Sequence, residues 1–341
     1  MSSGPQATAG QLETRRPTSE RGAALLTVLL LVAVMAVIAA VMLERLNLAT
    51  RLAANSQAMA QARLYALSAE SVAAVRIKAL VALDPNRTVD ARGLLGREFA
   101  LPMRGGTVTV RIDDAGNCFN LNSLVEGEEG NFTLRPSGLA QLRALMVGLA
   151  IPEAEAIPLS DAIADWIDSD DLPAPNGVED AYYQGLPVPY RTAGRLIVDP
   201  SEVRAVKGMT PAYYARLRPW LCALPGAELS PINVNTLRPD QARLIAMLAP
   251  ATIDLQRAQS IIAQRPAGGV AAAADFLRPF AAGGQTLGPE AIGQLQVTSR
   301  WFLADLRVAV DSIRLDEAAL IDVGVDPPRV VGRSWGDRET R

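Results

Sequence analysis

The sequence predicts an α+β fold: one long N-terminal helix, a little strand, a block of short helices, and strands again at the end. Three observations carry this. Ala23 to Leu43 runs 21 residues without a charge. Strand-type alternation at Thr107–Ile112 gives way to helical spacing from Pro136 to about Leu295, and alternation returns beyond it. Helical and strand sequence are thus segregated along the chain, which is the mark of α+β architecture.

At about 1.5 Å per residue, Ala23–Leu43 makes a helix of about 30 Å, the thickness of a hydrocarbon core. Thr27 is its one hydroxyl and can bond back to a helix carbonyl. A removable signal has an apolar core of only about 7–15 residues. This run is longer and flows into Glu44-Arg45-Leu46, so a membrane helix is predicted. The polar leader, Met1 to Gly22, carries Arg15, Arg16 and Arg21 against Glu13 and Glu20. That excess puts the N-terminus in the cytoplasm and the body across the membrane.

Leu46–Leu83 has neither Gly nor Pro and continues the helix, with Leu64, Leu67, Val72, Val75, Ala79 and Leu83 approximating one apolar face. Asp84-Pro85 ends it. Residues 86–104, with Gly93, Gly96 and Pro102, read as a loop; Thr107–Ile112 is a strand and Asp113–Asn117 a turn. Leu139, Leu142, Leu145, Met146 and Leu149 form a helical stripe, and Ser160 is expected to cap a helix through Ile167. Thr210-Pro211 starts another, Thr236 one through Leu248, and Asp254 one through Gln264. The Ala/Gly tract at 267–274 reads as a loop. Val297–Val310 and Asp311–Val323 are strands, and a fraying tail is expected from Asp326.

The chain is 49% apolar and 20% charged, enough to bury real cores. A net charge of −3 gives no basic footprint for nucleic acid. There is no histidine. That removes the commonest general base, the commonest zinc ligand and every His-containing triad. Cys118 and Cys222 are too sparse for a thiolate metal site. In an exported domain they can pair; two separate buried thiols are the alternative.

Asp165, Asp168, Asp170 and Asp171 fall within seven residues, with Glu179 and Asp180 after a Pro/Gly/Asn loop. Carboxylates so close repel unless a cation sits among them. Hard oxygen donors in a loop suit calcium better than magnesium, which demands a stricter octahedron. The EF-hand pattern is absent, and a solvated acidic loop is the alternative. A catalytic reading needs a pair about 5–9 Å apart in a cleft, which nothing in the sequence marks. No enzyme activity and no catalytic residue is expected.

Several segments together resemble a known family, the minor pseudopilin K proteins of type II secretion, within the type IV pilin-like group. The Arg21-Gly22/Ala23 junction is similar to a prepilin peptidase site, with cleavage after Gly22. Gly116-Asn-Cys-Phe-Asn-Leu-Asn-Ser-Leu124 resembles the family's NLN motif, and Ile232-Asn-Val-Asn-Thr236 the opening of its second repeat. Asp165–Asp171 with Gly177–Tyr183 matches its acidic signature.

The resemblance implies a pilin-like unit, a long helix on a small antiparallel sheet, with an all-α domain inserted. The implied division is a cleaved leader (1–22), a transmembrane helix (23–43), an amphipathic helix with the first strands (44–118), SAM-like helical inserts (119–230 and 231–295), C-terminal strands (296–325) and a tail (326–341). The second insert resembles helix-hairpin-helix modules, but Leu248-Ala-Pro250-Ala-Thr replaces their glycine hairpin, and proline lacks the amide that would hold phosphate. The implied partners are I- and J-type minor pseudopilins, the major pseudopilin, the prepilin peptidase and the inner-membrane platform. The fifth residue from Ala23 is Thr27, where pilins carry a glutamate that pairs with a neighbour; this absence fits a filament tip. The competing readings are a minor pilin of a type IV pilus or competence system, and a membrane-anchored DNA-binding protein.

Overall fold

The computed structural model describes residues 19–284 and 286–336. Leader residues Arg15 and Arg16 lie outside the described residues. The chain divides into two compact units, residues 1–58 and 59–341. Helix α1 (Ser19–Val81) begins in the first and ends in the second.

In the first unit the apolar run of α1 is exposed on every side, from Leu25 at 62% to Leu43 at 61%. By length and composition α1 is apolar enough to cross a membrane. The helix is compatible with a single-pass membrane anchor.

In the second unit the buried face of α1 is Ala62, Ala66, Ala69, Ala73, Ile77 and Leu80. The face predicted from the larger side chains points outward: Leu64, Leu67, Val75 and Leu83 are 43–68% exposed. The helix was legible, but its packing face is the alanine stripe. Alanines bury little area each, and polar ties reinforce them. Tyr65 donates to the Arg104 carbonyl at 2.6 Å, and the Arg76 guanidinium lies 3.9 Å over the Phe99 ring. Arg333 grips Glu70 through two hydrogen bonds of 2.5 and 2.7 Å.

The sheet has five antiparallel strands in chain order: β1 (Glu98–Met103), β2 (Gly106–Asp114), β3 (Trp301–Val310), β4 (Ile313–Asp322) and β5 (Arg329–Trp335). Two of these correct the sequence reading. Pro102 and the flanking glycines made β1 read as loop, yet an edge strand tolerates proline, and Gly105 at φ +74° turns the chain into β2. The expected tail from Asp326 contains β5, paired along β4 from Glu317↔Trp335 to Asp322↔Arg329.

Between β2 and β3 lies the helical block, although those strands are neighbours, with Asp114 opposite Phe302. The block therefore leaves and re-enters the sheet at one point without opening it. It comprises α2 (Pro136–Gly148), α3 (Glu153–Asp165), α4 (Asp180–Gln184), α5 (Pro211–Leu217), α6 (Arg243–Ala246), α7 (Leu255–Ala263), α8 (Ala273–Ala282) and α9 (Pro289–Gln294). Thr210 and Asp254 cap α5 and α7 as expected. Ser160 is not a cap; it lies inside α3, where its hydroxyl bonds the Ile157 carbonyl. The helix expected from Thr236 to Leu248 is a turn at Pro239–Gln241 followed by the short α6.

The two Asn-x-Asn motifs do the same structural work twice. Each opens on a two-residue strand paired in parallel, Phe119–Asn120 with Leu221–Cys222 and Ile232–Asn233 with Leu295–Gln296. Asn122 donates to the Ile197 and Leu224 carbonyls and accepts from the Ile197 amide. Asn235 exchanges two hydrogen bonds with Val270. Buried amides of this kind satisfy loop backbone that water cannot reach. Cys118 and Cys222, beside the first of these pairings, are joined by a disulfide with Cα atoms 5.9 Å apart. Where block and sheet meet, buried Asp114 accepts from Thr236 and Ser299, both at 2.5 Å.

Candidate metal centre

α3 ends at Asp165, and the chain then folds a loop back over that end. Two acidic residues one helical turn apart hold the loop. Asp161 pairs with Arg143 and accepts from the Asn176 amide at 3.2 Å and side chain at 3.1 Å. Asp165 accepts from the Ala174 amide at 3.0 Å. Gly177 packs on the same carboxylate so tightly that a Cβ there would come within 1.8 Å of Asp165 Oδ2. Under the loop, Trp166, Tyr183 and Tyr190 form an aromatic cluster with ring centroids 5.1–6.1 Å apart.

This folding sorts the six acidic residues singled out in the sequence. Asp165, Asp168 and Glu179 converge, each buried and offering an oxygen within 4.8 Å of the other two. Asp170 and Asp171 are exposed, and Asp170 is turned to the Leu172 amide at 2.8 Å. Asp180 faces away, accepting from the Thr192 amide and hydroxyl at 2.8 and 2.9 Å. Asp161 and Gly177 were missed. The i, i+4 spacing of Asp161 and Asp165 was the available signal for the former; nothing in the sequence marks Gly177 as the wall of a carboxylate.

The electrostatics are one-sided. Among the described residues no Lys or Arg lies within ion-pair distance of the three. Burial, offset in part by the Ala174 amide, raises the Asp165 carboxyl to about 6. Burial and then the charges of Asp165 and Asp170 push Asp168 to about 7. Burial and four neighbouring carboxylates push Glu179 to about 8. Asp168 Oδ1 and Glu179 Oε1 are buried without a hydrogen-bond partner. Orphaned buried oxygens are costly. An all-oxygen donor set without nitrogen or sulfur is what a hard divalent cation takes. The triad can therefore hold a metal ion.

Residues 117–226 and 232–298 match the family described as type II secretion system (T2SS), protein K. The type II secretion system protein K of Pectobacterium carotovorum subsp. carotovorum is 34% identical over 94% of this chain and 98% of its own length. The chain belongs to the type II secretion system protein K family. The protein K of Aeromonas hydrophila is 39% identical over 72% of this chain and 76% of its length, and that of Pseudomonas aeruginosa 33% identical over 93% of both. The crystal structure of the GspK–GspI–GspJ complex from enterotoxigenic Escherichia coli contains a chain matching with a TM-score of 0.72 and 29% identity, over 83% of this chain and 99% of that one. Protein K relatives are components of a secretion machine, and the resemblance read from the acidic signature and the Asn-x-Asn motifs was to that family. The pilin-like frame with a helical block inserted is its fold.

Proposed function

We propose that this protein K is the minor pseudopilin at the tip of a periplasmic pseudopilus, where it helps to start assembly and thereby export of folded proteins across the outer membrane. The observation that carries the reading is the insertion of the helical block between neighbouring strands β2 and β3. The pilin-like sheet stays intact while carrying a block too bulky for a filament shaft. The matching crystal structure is a complex with GspI and GspJ, which supports I- and J-type minor pseudopilins as partners, beside the major pseudopilin and the inner-membrane platform. The role is assembly, without catalysis or nucleic-acid binding.

In this reading prepilin peptidase cleaves between Gly22 and Ala23 on the cytoplasmic side, and the body lies in the periplasm. Thr27, fifth from that junction, returns its hydroxyl to the Ala24 carbonyl at 2.9 Å. It offers no charge to a neighbour. A carboxylate there would cost about 2.5–3.5 kcal/mol in hydrocarbon without a partner. Asp165, Asp168 and Glu179 hold calcium, which neutralises the triad and fixes the loop to the end of α3; Asp170, Asp171 and Asp180 contribute at most through the local field. Residues 119–230 and 231–295 act as two helical segments on one shared core.

Co-expression of the full chain with I- and J-type pseudopilins, followed by affinity purification from detergent, tests the reading. Wild type is expected to bring down both, and Thr27→Glu to be processed normally yet assemble poorly. Wild-type protein that purifies alone would refute the tip assignment; a fully assembling Thr27→Glu variant would refute the role given to Thr27.

A further inference from the structure

One groove of the second unit gathers three arginines in its lining. Where α1 ends beside β1 there is a groove of about 400 Å³ with Leu80, Leu83 and Phe99 on its apolar floor and Arg76, Arg92 and Arg97 around it. Among the described residues none of these three arginines has a carboxylate within 4 Å. Arg76 lies over the Phe99 ring, a cation–π contact that positions the guanidinium and covers that face of the ring. The groove's one acid, Glu98, is engaged by Arg307 at 3.1 Å. Of the arginines elsewhere, Arg143, Arg300 and Arg333 each meet a carboxylate, and Arg216, Arg257 and Arg265 donate to backbone carbonyls.

Two further features mark the groove as a reader of polypeptide. β1 is an edge strand, with no strand on its outer side among the described residues. An edge offers backbone donors and acceptors to an extended segment. Leu83 at the mouth is 50% exposed, and Val75 nearby on α1 is 68% exposed. Apolar side chains rimmed by unpaired arginines are the usual makeup of a protein contact.

We propose that this groove docks an acidic segment of a partner pseudopilin, with carboxylates on Arg76, Arg92 and Arg97 and an apolar side chain over Leu83. A lipid headgroup would use the arginines alone and leave both floor and strand edge idle. The inference rests on the assignment of pseudopilin partners made above, and adds where one of them binds and by what chemistry.

The test places a photo-cross-linking phenylalanine analogue at Leu83 of the full chain, co-expressed in membranes with I- and J-type pseudopilins. The expected adduct maps to a partner segment rich in Asp and Glu. It falls about tenfold or more in R92E/R97E, where like charges meet, and survives in R92K/R97K. An unchanged melting temperature of the reversal variant excludes misfolding. Partner co-purification is scored in the same samples. Partners that co-purify without an adduct at Leu83 overturn the groove and leave the partner assignment standing. Absence of both overturns both. An adduct to lipid overturns the proposal in favour of a headgroup.

Discussion

Two buried clusters of carboxylates in the same chain solve the same problem in opposite ways. Glu70 on α1 and Glu317 on β4 are almost fully buried and face each other, with Arg333 of β5 between them. Burial alone would raise the Glu70 carboxyl, but the Arg333 pair holds it below the usual carboxylate range. Burial and the neighbouring Glu70 push Glu317 up to about 8, so that it stays protonated near neutral pH. One guanidinium and one proton thus balance the charge of two acids, although both Glu317 oxygens are buried without a hydrogen-bond partner. Asp165, Asp168 and Glu179 also leave two oxygens orphaned, but among the described residues no arginine or lysine reaches them. The first cluster ties the helix to the sheet from within; the second has no cation of its own among the described residues and can hold one.

The largest effect comes from making the first cluster resemble the second. Arg333→Met leaves two buried acids without a cation and is expected to cost about 3–5 kcal/mol in chemical denaturation. Replacing Glu70, Glu317 and Arg333 together by leucine should restore most of that loss, because a buried ion cluster is often matched by a packed apolar one. A triple variant as unstable as Arg333→Met would show that the cost lies in packing.

Asp168→Asn sharpens the contrast, because its sign is expected to depend on the cation. With chelator it removes a repelling charge and raises stability. With calcium at about 100 times the dissociation constant it forfeits up to about 2.7 kcal/mol of binding stabilisation. A variant destabilised equally in both conditions would point to a hydrogen-bonding role.

A third contrast concerns the proton on Glu317. Between the ordinary carboxyl value of 4.5 and the folded value of about 8, the folded chain holds a proton that the unfolded chain has released. Stability contributed by this group is complete below that window, falls as pH rises through it, and is gone above it. Glu317→Gln keeps the neutral form at every pH. Measured in calcium, its stability should decline less than wild type between pH 5 and 8, in the order-of-magnitude sense of proton linkage. Parallel curves would place the proton elsewhere.

Much of this architecture could be read from residues. The long apolar run, the cap at Thr210 and the shift in period that brackets the helical block all follow from local chemistry. What failed was three-dimensional. Leu64, Leu67, Val75 and Leu83 outrank alanine in hydrophobicity, yet alanines face the sheet and the larger side chains are left for other contacts. β1 and β5 lack the look of strands because pairing at a sheet edge, not propensity, makes them. The acidic signature showed that charge collects near residue 170, but a linear pattern cannot tell which oxygens a returning loop brings together. It gave six acids where the fold unites three.

The measurement that bears most directly on the acidic triad is the melting temperature of the full-length protein in calcium and in chelator, from about pH 6 to 9. Ionised carboxylates bind the ion, so the calcium-dependent rise should grow as pH climbs through the values of about 6, 7 and 8 for Asp165, Asp168 and Glu179. It should vanish in Asp168→Asn. Melting temperatures that coincide with and without calcium at every pH would contradict a cation at this site.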